Sequence, residues 1–129
     1  KNISPQNIEN SLQASPFIEQ IAVIGDSRKY LSALIVPSFE TLESWAKDQG
    51  IDYKGKSDLI TSEKVIEHYK KEIEDNMKDY ARVEQIRKFT LLETPWSQET
   101  GELTPTLKVK RRIINQKFAR LIDAMYPAD

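Results

Sequence analysis

The sequence predicts an α+β fold in which about three β-strands, including one hairpin, have helices packed around them. Two observations indicate this class. Runs rich in β-branched residues occur near positions 20–36 and 86–92, and segments with apolar residues at three- and four-residue spacing lie between and after them. The 129 residues are enough for one core that buries roughly two-thirds of the unfolded surface. We therefore predict a single domain over residues 1–129.

The N-terminal quarter is predicted to contain a short helix followed by the hairpin. Ser4 and Pro5 are favourable N-cap and first-turn residues, and this helix ends before Pro16. Strands are predicted at residues 20–25 and 30–36, because both runs are rich in strand-forming side chains. The intervening residues have the length and the turn chemistry of a hairpin connection.

The middle of the chain is predicted to be helical. Ser38 begins a helix whose apolar face includes Leu42 and Ala46 and which ends at Gly50. Residues 54–58 are predicted to be a polar linker. A longer helix follows from residue 62 to about 80, and its other face carries mixed charges typical of a solvated surface. The side chains predicted on its buried face are Val65, Ile66, Tyr69, Ile73, Met77 and Tyr80.

The C-terminal part is predicted to contain a third strand, a long loop and a last helix. The strand covers residues 86–92, and the loop continues to Thr106. Trp96 lies in this loop and is interpreted as a packing residue, because buried aromatic side chains mostly serve packing. The apolar stripe of the last helix comprises Val109, Ile113, Ile114, Phe118, Leu121, Ile122 and Met125.

Composition excludes several classes of function. The net charge of −1 provides no global basic field that would attract nucleic acid. The chain has no cysteine, which excludes disulfides, thiol catalysis and thiolate metal sites. His68 is the only histidine, so neither a histidine metal site nor a Ser–His–acid triad is predicted. No apolar run approaches the ~18 residues of a membrane span, and no signal peptide is evident.

A basic cluster at the predicted start of the last helix is the strongest candidate site. Lys108, Lys110, Arg111 and Arg112 follow a loop that contains Gly101 and Pro105. A helix N-terminus prefers anions, so four cations there are electrostatically unusual. Together with the free backbone N–H groups of a helix start, they would form an anion site. The first of these cations, Lys108, is the candidate catalytic residue.

Three segments carry a resemblance to a known family. The stretch from Gly101 to Arg112 resembles the last signature of the adenylate-forming enzymes, with Thr106-Leu107-Lys108 where most members have Thr/Ser-Gly-Lys. The opening segment 1–9 resembles the sequence after the domain hinge of that family, and residues 17–26 resemble the first strand of its C-terminal domain. The form of both ends is similar to the long-chain fatty acyl-CoA synthetases. Leu107, in place of glycine, is the main departure, and it leaves the backbone less free.

The resemblance implies that residues 1–129 are the mobile C-terminal domain of a two-domain ligase whose N-terminal AMP-binding domain is absent here. In such enzymes a fatty acid reacts with ATP and Mg²⁺ to give acyl-AMP and pyrophosphate, and coenzyme A then forms the thioester. The resemblance also implies that Lys108 is the adenylation lysine and that Lys1 and Asn2 border the coenzyme A passage. The domain would rotate between the two steps, and we expect it to be inactive alone. The implied location is cytoplasmic, which leaves open a peripheral association of the full enzyme with the inner face of the membrane.

An alternative reading of the basic cluster needs no second domain. A small anion-binding module could hold acidic lipid or RNA with Lys108, Lys110, Arg111 and Arg112. The nearly neutral total charge and the lack of aromatic residues within the basic run argue against it. Salt-sensitive binding to nucleic acid or to anionic vesicles would favour it.

Overall fold

A three-stranded sheet with β2 in the centre organises the chain in the computed structural model, which describes residues 4–128. Strand β1 pairs antiparallel with β2, and β2 pairs parallel with β3. Six helices and one short 3-10 turn accompany the sheet within this part of the chain, which confirms the predicted α+β class. In chain order the elements are α1 (Pro5–Leu12), β1 (Ile18–Ile24), β2 (Leu31–Pro37), α2 (Phe39–Asp48), α3 (Lys56–Ile60), α4 (Glu63–Asn76), the 3-10 turn (Arg82–Glu84), β3 (Ile86–Leu91), α5 (Arg111–Lys117) and α6 (Ala119–Ala124).

Both faces of the sheet are buried, and each face has its own core. In β1 and β2, alternate side chains point to opposite faces, as the pleat of a strand requires. Ile21, Val23, Ala33 and Ile35 pack with buried residues of α1, α2, α3 and α4. The intervening residues Ala22, Ile24, Leu34 and Val36 pack against Trp96, Leu103 and residues from α5 to Met125. Burial on both sides explains why these two strands read as nearly continuous apolar runs.

The local signals at the first helix and the hairpin agree with the structure. The Ser4 hydroxyl accepts a hydrogen bond from the Asn7 amide, and Pro5 is the first residue of α1. The turn between β1 and β2 contains Ser27 with a φ of 59°, a left-handed conformation that serine adopts only where a turn demands it. Pro37 ends β2, where it pairs with Ile18.

Three helical predictions are wrong in detail. Residues 54–58 were predicted to be a linker, but α3 begins at Lys56 and is held to the core by the fully buried Leu59. Helix α4 ends at Asn76 rather than near residue 80, because Met77 leaves helical angles. The last helix is broken at Phe118, where φ is −109° and ψ is 24°, so α5 and α6 are separate.

Two of the predicted buried positions are exposed instead. Ile66 on α4 and Leu121 on α6 face solvent, whereas Val65 and Ile122 beside them are buried. A three- and four-residue apolar pattern marks one side of a helix, but it does not show how wide a stripe the sheet covers. Each of these two residues lies at the edge of the stripe, just outside the contact with the core.

Candidate functional site

The candidate lysine lies in a small antiparallel hairpin, residues 102–110, which we call the lysine hairpin. Leu103 and Val109 form its β-bridge. On one side of the bridge, the Lys110 amide donates to the Glu102 carbonyl oxygen at 2.7 Å. On the other side, the Thr104 amide donates to the Lys108 carbonyl oxygen, also at 2.7 Å. These bonds connect the buried base of the hairpin to its exposed end without a gap.

Lys108 follows a tight turn at the tip of the lysine hairpin. The Lys108 amide donates to the Thr104 hydroxyl at 3.1 Å, and the Leu107 amide donates to the Thr104 carbonyl oxygen at 2.8 Å. Leu107 adopts a φ of 65°, the left-handed conformation that glycine reaches most easily. The Lys108 side chain is exposed and forms no ion pair with residues 4–128. The backbone of the tip is thus fixed by hydrogen bonds within the domain, and the Lys108 side chain extends into solvent.

Glu102 forms the base of the lysine hairpin and is almost completely buried, with 1% of its surface exposed. Its carboxylate accepts hydrogen bonds from the Ser97 amide at 3.1 Å, from the Thr100 hydroxyl and from the Lys117 ammonium group. Burial by itself would raise the pKa of the Glu102 carboxyl. The bonds from Lys117, Thr100 and Ser97 outweigh burial and lower the pKa to about 2. Glu102 is therefore ionised at neutral pH.

The four cations of the basic cluster do not form one site. Lys108 belongs to the lysine hairpin, Lys110 is the N-cap of α5, and only Arg111 and Arg112 lie in the first turn. The prediction that all four occupy the helix start is wrong, because the hairpin bridge extends through Val109.

Arg111 has a structural partner. Its guanidinium donates to Glu9 Oε1 at 2.6 Å and to the Val23 carbonyl oxygen at 3.1 Å. The other carboxylate oxygen of Glu9 accepts from the Val23 amide at 2.7 Å. Glu9 and Arg111 thus satisfy the outer edge of β1 at Val23. Arg111 is consequently occupied within the domain, which removes one cation from the alternative anion-binding module.

Trp96 is a packing residue, as predicted. It is buried in the core beside α5 and α6, and its ring lies 6.2 Å from the ring of Phe118. The Gln20 side chain fixes its backbone by accepting from the Trp96 amide at 2.7 Å and donating to the Trp96 carbonyl oxygen at 2.9 Å. This contact ties the loop before the lysine hairpin to β1.

His68, a further residue considered in the sequence, lies on helix α4 and not in the lysine hairpin. His68 stacks on Trp45 with 4.3 Å between ring centroids, and burial lowers its pKa more than nearby Glu72 raises it. Lys1 and Asn2, the residues assigned to the coenzyme A passage, lie outside the described residues. Among residues 4–128, no group of three His, Cys, Asp or Glu side chains could hold a metal ion. Across that same range no helix has the length and apolar character to cross a membrane.

Comparison with known proteins decides the family. A family model described as the AMP-binding enzyme C-terminal domain matches residues 1–129. The chain belongs to the AMP-binding enzyme C-terminal domain family. The resemblance seen in the opening segment and in the stretch around Lys108 is thereby confirmed at the level of the family.

Relatives of this AMP-binding C-terminal domain are much longer proteins. It is 38% identical over 128 residues to the long-chain-fatty-acid–CoA ligase FadD15 of Mycobacterium tuberculosis, covering 98% of this chain and 21% of the relative. It is 34% identical over 131 residues to the human long-chain-fatty-acid–CoA ligase 1, covering 96% of this chain and 18% of the relative. The chain thus spans about a fifth of the length of these relatives.

Solved structures of adenylation domains share its fold. The adenylation domain of a carboxylate reductase from Mycobacterium chelonae matches with a TM-score of 0.76 and 24% identity, over 95% of this chain and 18% of that chain. The A-PCP didomain of carboxylic acid reductase from Segniliparus rugosus, in complex with AMP, matches with a TM-score of 0.72 and 21% identity, over 95% of this chain and 16% of that chain. The AMP-binding C-terminal domain therefore has the architecture found within larger adenylate-forming proteins.

Two carboxylates that are buried among residues 4–128, those of Glu9 and Glu102, were not identified from the sequence. Glu102 precedes the apolar Leu103 in a loop without periodicity, so nothing local indicates that it is buried. Glu9 follows Ile8 in a short polar helix, and its partner Arg111 lies 102 residues away along the chain. An acidic residue beside a core position of a helix is a weak signal that could have identified Glu9.

Proposed function

We propose that this domain is the C-terminal part of an ATP-dependent long-chain fatty acid–CoA ligase and that it supplies the adenylation lysine, Lys108. The single observation that carries the proposal is the placement of Lys108 on a fixed hairpin with its ammonium group free to reach outward. Identities of 34–38% with long-chain-fatty-acid–CoA ligases over nearly the whole chain support the substrate class. The partner of the domain is then the N-terminal AMP-binding domain of the same enzyme.

The chemistry of the first half-reaction suits a lysine. The fatty acid carboxylate attacks the α-phosphorus of ATP, which binds with Mg²⁺, and pyrophosphate leaves to give acyl-AMP. Negative charge accumulates around the α-phosphate in the transition state. The Lys108 ammonium group is a compact charge that would stabilise this state, and most strongly where the domain interface excludes water. In the second half-reaction, the thiol of coenzyme A attacks the acyl carbonyl carbon and AMP leaves.

We further propose that the domain rotates between these half-reactions. One orientation would bring Lys108 to the acyl-AMP site, and the other would withdraw it and open the way for coenzyme A. Lys1 and Asn2 would border the coenzyme A passage in the second orientation. This division of labour predicts that Lys108 matters to adenylation and not to thioester formation.

The test is to introduce Lys108→Ala into the full ligase and measure the half-reactions separately. We expect acyl-AMP formation from ATP and fatty acid to fall on the order of a hundredfold or more, because one preorganised charge is lost. Thioester formation from preformed acyl-AMP should be retained. Arg112→Ala, which removes an exposed cation just inside α5, is the matched control and should leave both steps intact. Equal loss of both steps in the Lys108 variant would indicate a structural role, and no loss in either would contradict the proposal.

The same variants separate the ligase from the anion-binding alternative. The alternative requires salt-sensitive binding of the isolated domain to anionic vesicles or RNA, with similar losses from removing Lys108 or Arg112. Absence of such binding, together with the adenylation defect of the Lys108 variant alone, would support the ligase.

A further inference from the structure

We infer that Glu102 is a positioning residue for adenylation, because it fixes the lysine hairpin that carries Lys108 against the preceding turn and helix α5. The inference rests on the proposed role of Lys108 and extends it to a buried carboxylate with no ligand of its own. Glu102 has nearly no exposed surface, so it cannot touch a substrate from where it lies. Any effect on the reaction must act through the backbone that it holds.

The Glu102 carboxylate joins three separate segments. One oxygen accepts from the Ser97 amide at 3.1 Å and from the Thr100 hydroxyl, both in the turn that precedes the hairpin. The other oxygen accepts from the Lys117 ammonium group in the last position of α5. An ionised carboxylate with donors on both oxygens allows few orientations, because rotation of the group would break charge-assisted hydrogen bonds.

From Glu102 a continuous set of bonds leads to Lys108. The Glu102 carbonyl oxygen accepts from the Lys110 amide at 2.7 Å, the next pair is the Leu103–Val109 bridge, and the Thr104 amide then bonds the Lys108 carbonyl oxygen at 2.7 Å. The tip of the hairpin is otherwise exposed and contains Leu107 in a disfavoured conformation. The base of the hairpin therefore helps to set the orientation of Lys108, together with the Thr104 hydroxyl at its tip.

Positioning matters to the rate of adenylation, because a displacement of a catalytic group by about 1 Å can lower a reaction rate about a hundredfold. Glu102→Gln keeps an oxygen that can accept from Ser97 and Thr100, but it turns an amide NH₂ group toward the Lys117 ammonium group. Two donors then face each other, and the link between the hairpin and α5 is lost. Glu102→Gln combined with Lys117→Gln restores a donor–acceptor pair without any charge.

The experiment uses the full ligase and measures the two half-reactions for each variant. For Glu102→Gln we expect kcat for acyl-AMP formation to fall about tenfold or more, with KM for ATP little changed, and thioester formation from preformed acyl-AMP to be retained. The double variant Glu102→Gln, Lys117→Gln should recover part of the loss. Glu99→Gln removes an exposed acid three residues earlier in the same loop, and this matched control should behave as the wild type.

A merely structural role predicts different results. If Glu102→Gln lowers both half-reactions equally, or neither, the inference is wrong. Lys108→Ala combined with Glu102→Gln should form acyl-AMP as slowly as Lys108→Ala alone, because a positioning residue has nothing left to position. Additive losses in this double variant would contradict the inference.

One further variant, Thr100→Val, and the Lys108→Ala variant keep the test decisive. If Glu102→Gln does not fold, Thr100→Val removes the bonds of the Thr100 hydroxyl to Glu102 and to the Ser97 hydroxyl. It should give a smaller defect that is confined to adenylation. The absence of that defect would overturn the inference. Lys108→Ala separates failure of the proposed function from failure of the positioning role alone. If it leaves adenylation intact, the proposed function fails. If it abolishes adenylation while Glu102→Gln has no effect, only the positioning role fails.

Discussion

Leu107 shows at the residue scale how one side chain can conflict with its backbone. Its φ of 65° costs an L-residue roughly 1–2 kcal/mol, and its side chain is 65% exposed, so burial returns little of that energy. The tight turn before Lys108 requires this conformation, because a left-handed residue after the turn redirects the chain so that the Lys108 carbonyl oxygen meets the Thr104 amide. Leu107 therefore holds a conformation that glycine would reach at a lower cost in energy.

Replacing Leu107 should change stability in opposite directions according to the new residue. Leu107→Gly should stabilise the domain slightly or leave it unchanged, because relief of the left-handed strain exceeds or balances the ~0.5–1 kcal/mol entropy cost of glycine. Leu107→Val should destabilise it by about 1 kcal/mol, since β-branched residues avoid positive φ. Urea denaturation of the isolated chain measures both. A valine variant as stable as the wild type would show that the turn relaxes to another conformation.

The lowered pKa of Glu102 predicts how the stability of the domain depends on pH. Its pKa is lowered to about 2 in the folded domain, against an ordinary value of 4.5, so the unfolded chain takes up a proton first as the pH falls. The stabilisation is complete above about pH 5 and is lost between about pH 5 and 2. Because Lys117 is half exposed, solvent screening limits it to about 2 kcal/mol.

The measurement is the difference in free energy of unfolding between the wild type and Glu102→Gln, followed from pH 7 to pH 2. The difference should be largest at neutral pH and shrink as the pH falls below 5. The exposed Glu99→Gln variant should show no comparable trend. A difference that stayed constant over this range would mean that ionisation of Glu102 does not stabilise the fold.

At the scale of elements, Glu9 and Arg111 connect the first helix to the first strand and to the helix after the lysine hairpin. Glu9 is only 8% exposed, and its two oxygens bond the Val23 amide and the Arg111 guanidinium. The Arg111 side chain is 41% exposed, so the cost of breaking the pair falls on Glu9, which would keep a buried charge without its partner. Helices α1 and α5 therefore depend on each other through the edge of β1.

A double-mutant cycle tests this dependence. Arg111→Met should lower the free energy of unfolding by about 2 kcal/mol, since Glu9 remains buried with a single amide donor. The double variant Glu9→Gln, Arg111→Met should lose less than the sum of the two single variants, with a coupling energy of about 1 kcal/mol. The matched control is Arg112→Met, which removes an exposed cation and should change stability by less than ~0.5 kcal/mol. Additive single effects would mean that the two helices are stabilised independently.

The order and type of most elements could be predicted from the sequence, whereas the contacts that define the candidate site could not. Strands β1 and β2 and helix α4 have strong apolar patterns, and a pattern is a local property that the chain displays directly. Helix α3 was missed because only its Leu59 and Ile60 are apolar, too few for a period. The Glu9–Arg111 and Glu102–Lys117 pairs depend on how the chain folds back on itself, which no local pattern encodes.

The resemblance around Lys108 indicated a candidate site but not the contacts that support it. A run of basic residues suggested a single cluster at a helix start, since sequence spacing gives no sign of the Leu103–Val109 bridge. That bridge separates Lys108 from Arg111 and gives the two cations different roles. One extends from the domain, and the other holds it together.

At the scale of the whole molecule, the sheet divides the domain into two unequal halves. Helices α1 to α4 cover one face, and the segment from Trp96 to α6 covers the other. The lysine hairpin lies entirely in the second half, where Leu103 belongs to the core and Lys108 is exposed. Since both faces of β1 and β2 are buried by residues of this chain, we expect it to fold without a partner domain.

We therefore expect the isolated chain to fold but not to catalyse, and each property can be measured on its own. The isolated chain should unfold in one cooperative transition, because the two cores share the strands β1 and β2 and cannot melt separately. It should nevertheless form no acyl-AMP or acyl-CoA from fatty acid, ATP and coenzyme A. A lysine alone stabilises charge only where a partner surface holds the reacting groups and excludes water. The full ligase, assayed in parallel, is the positive control. Acyl-CoA synthesis by the isolated chain would show that these 129 residues contain a complete site, and the role proposed for the partner domain would then be wrong.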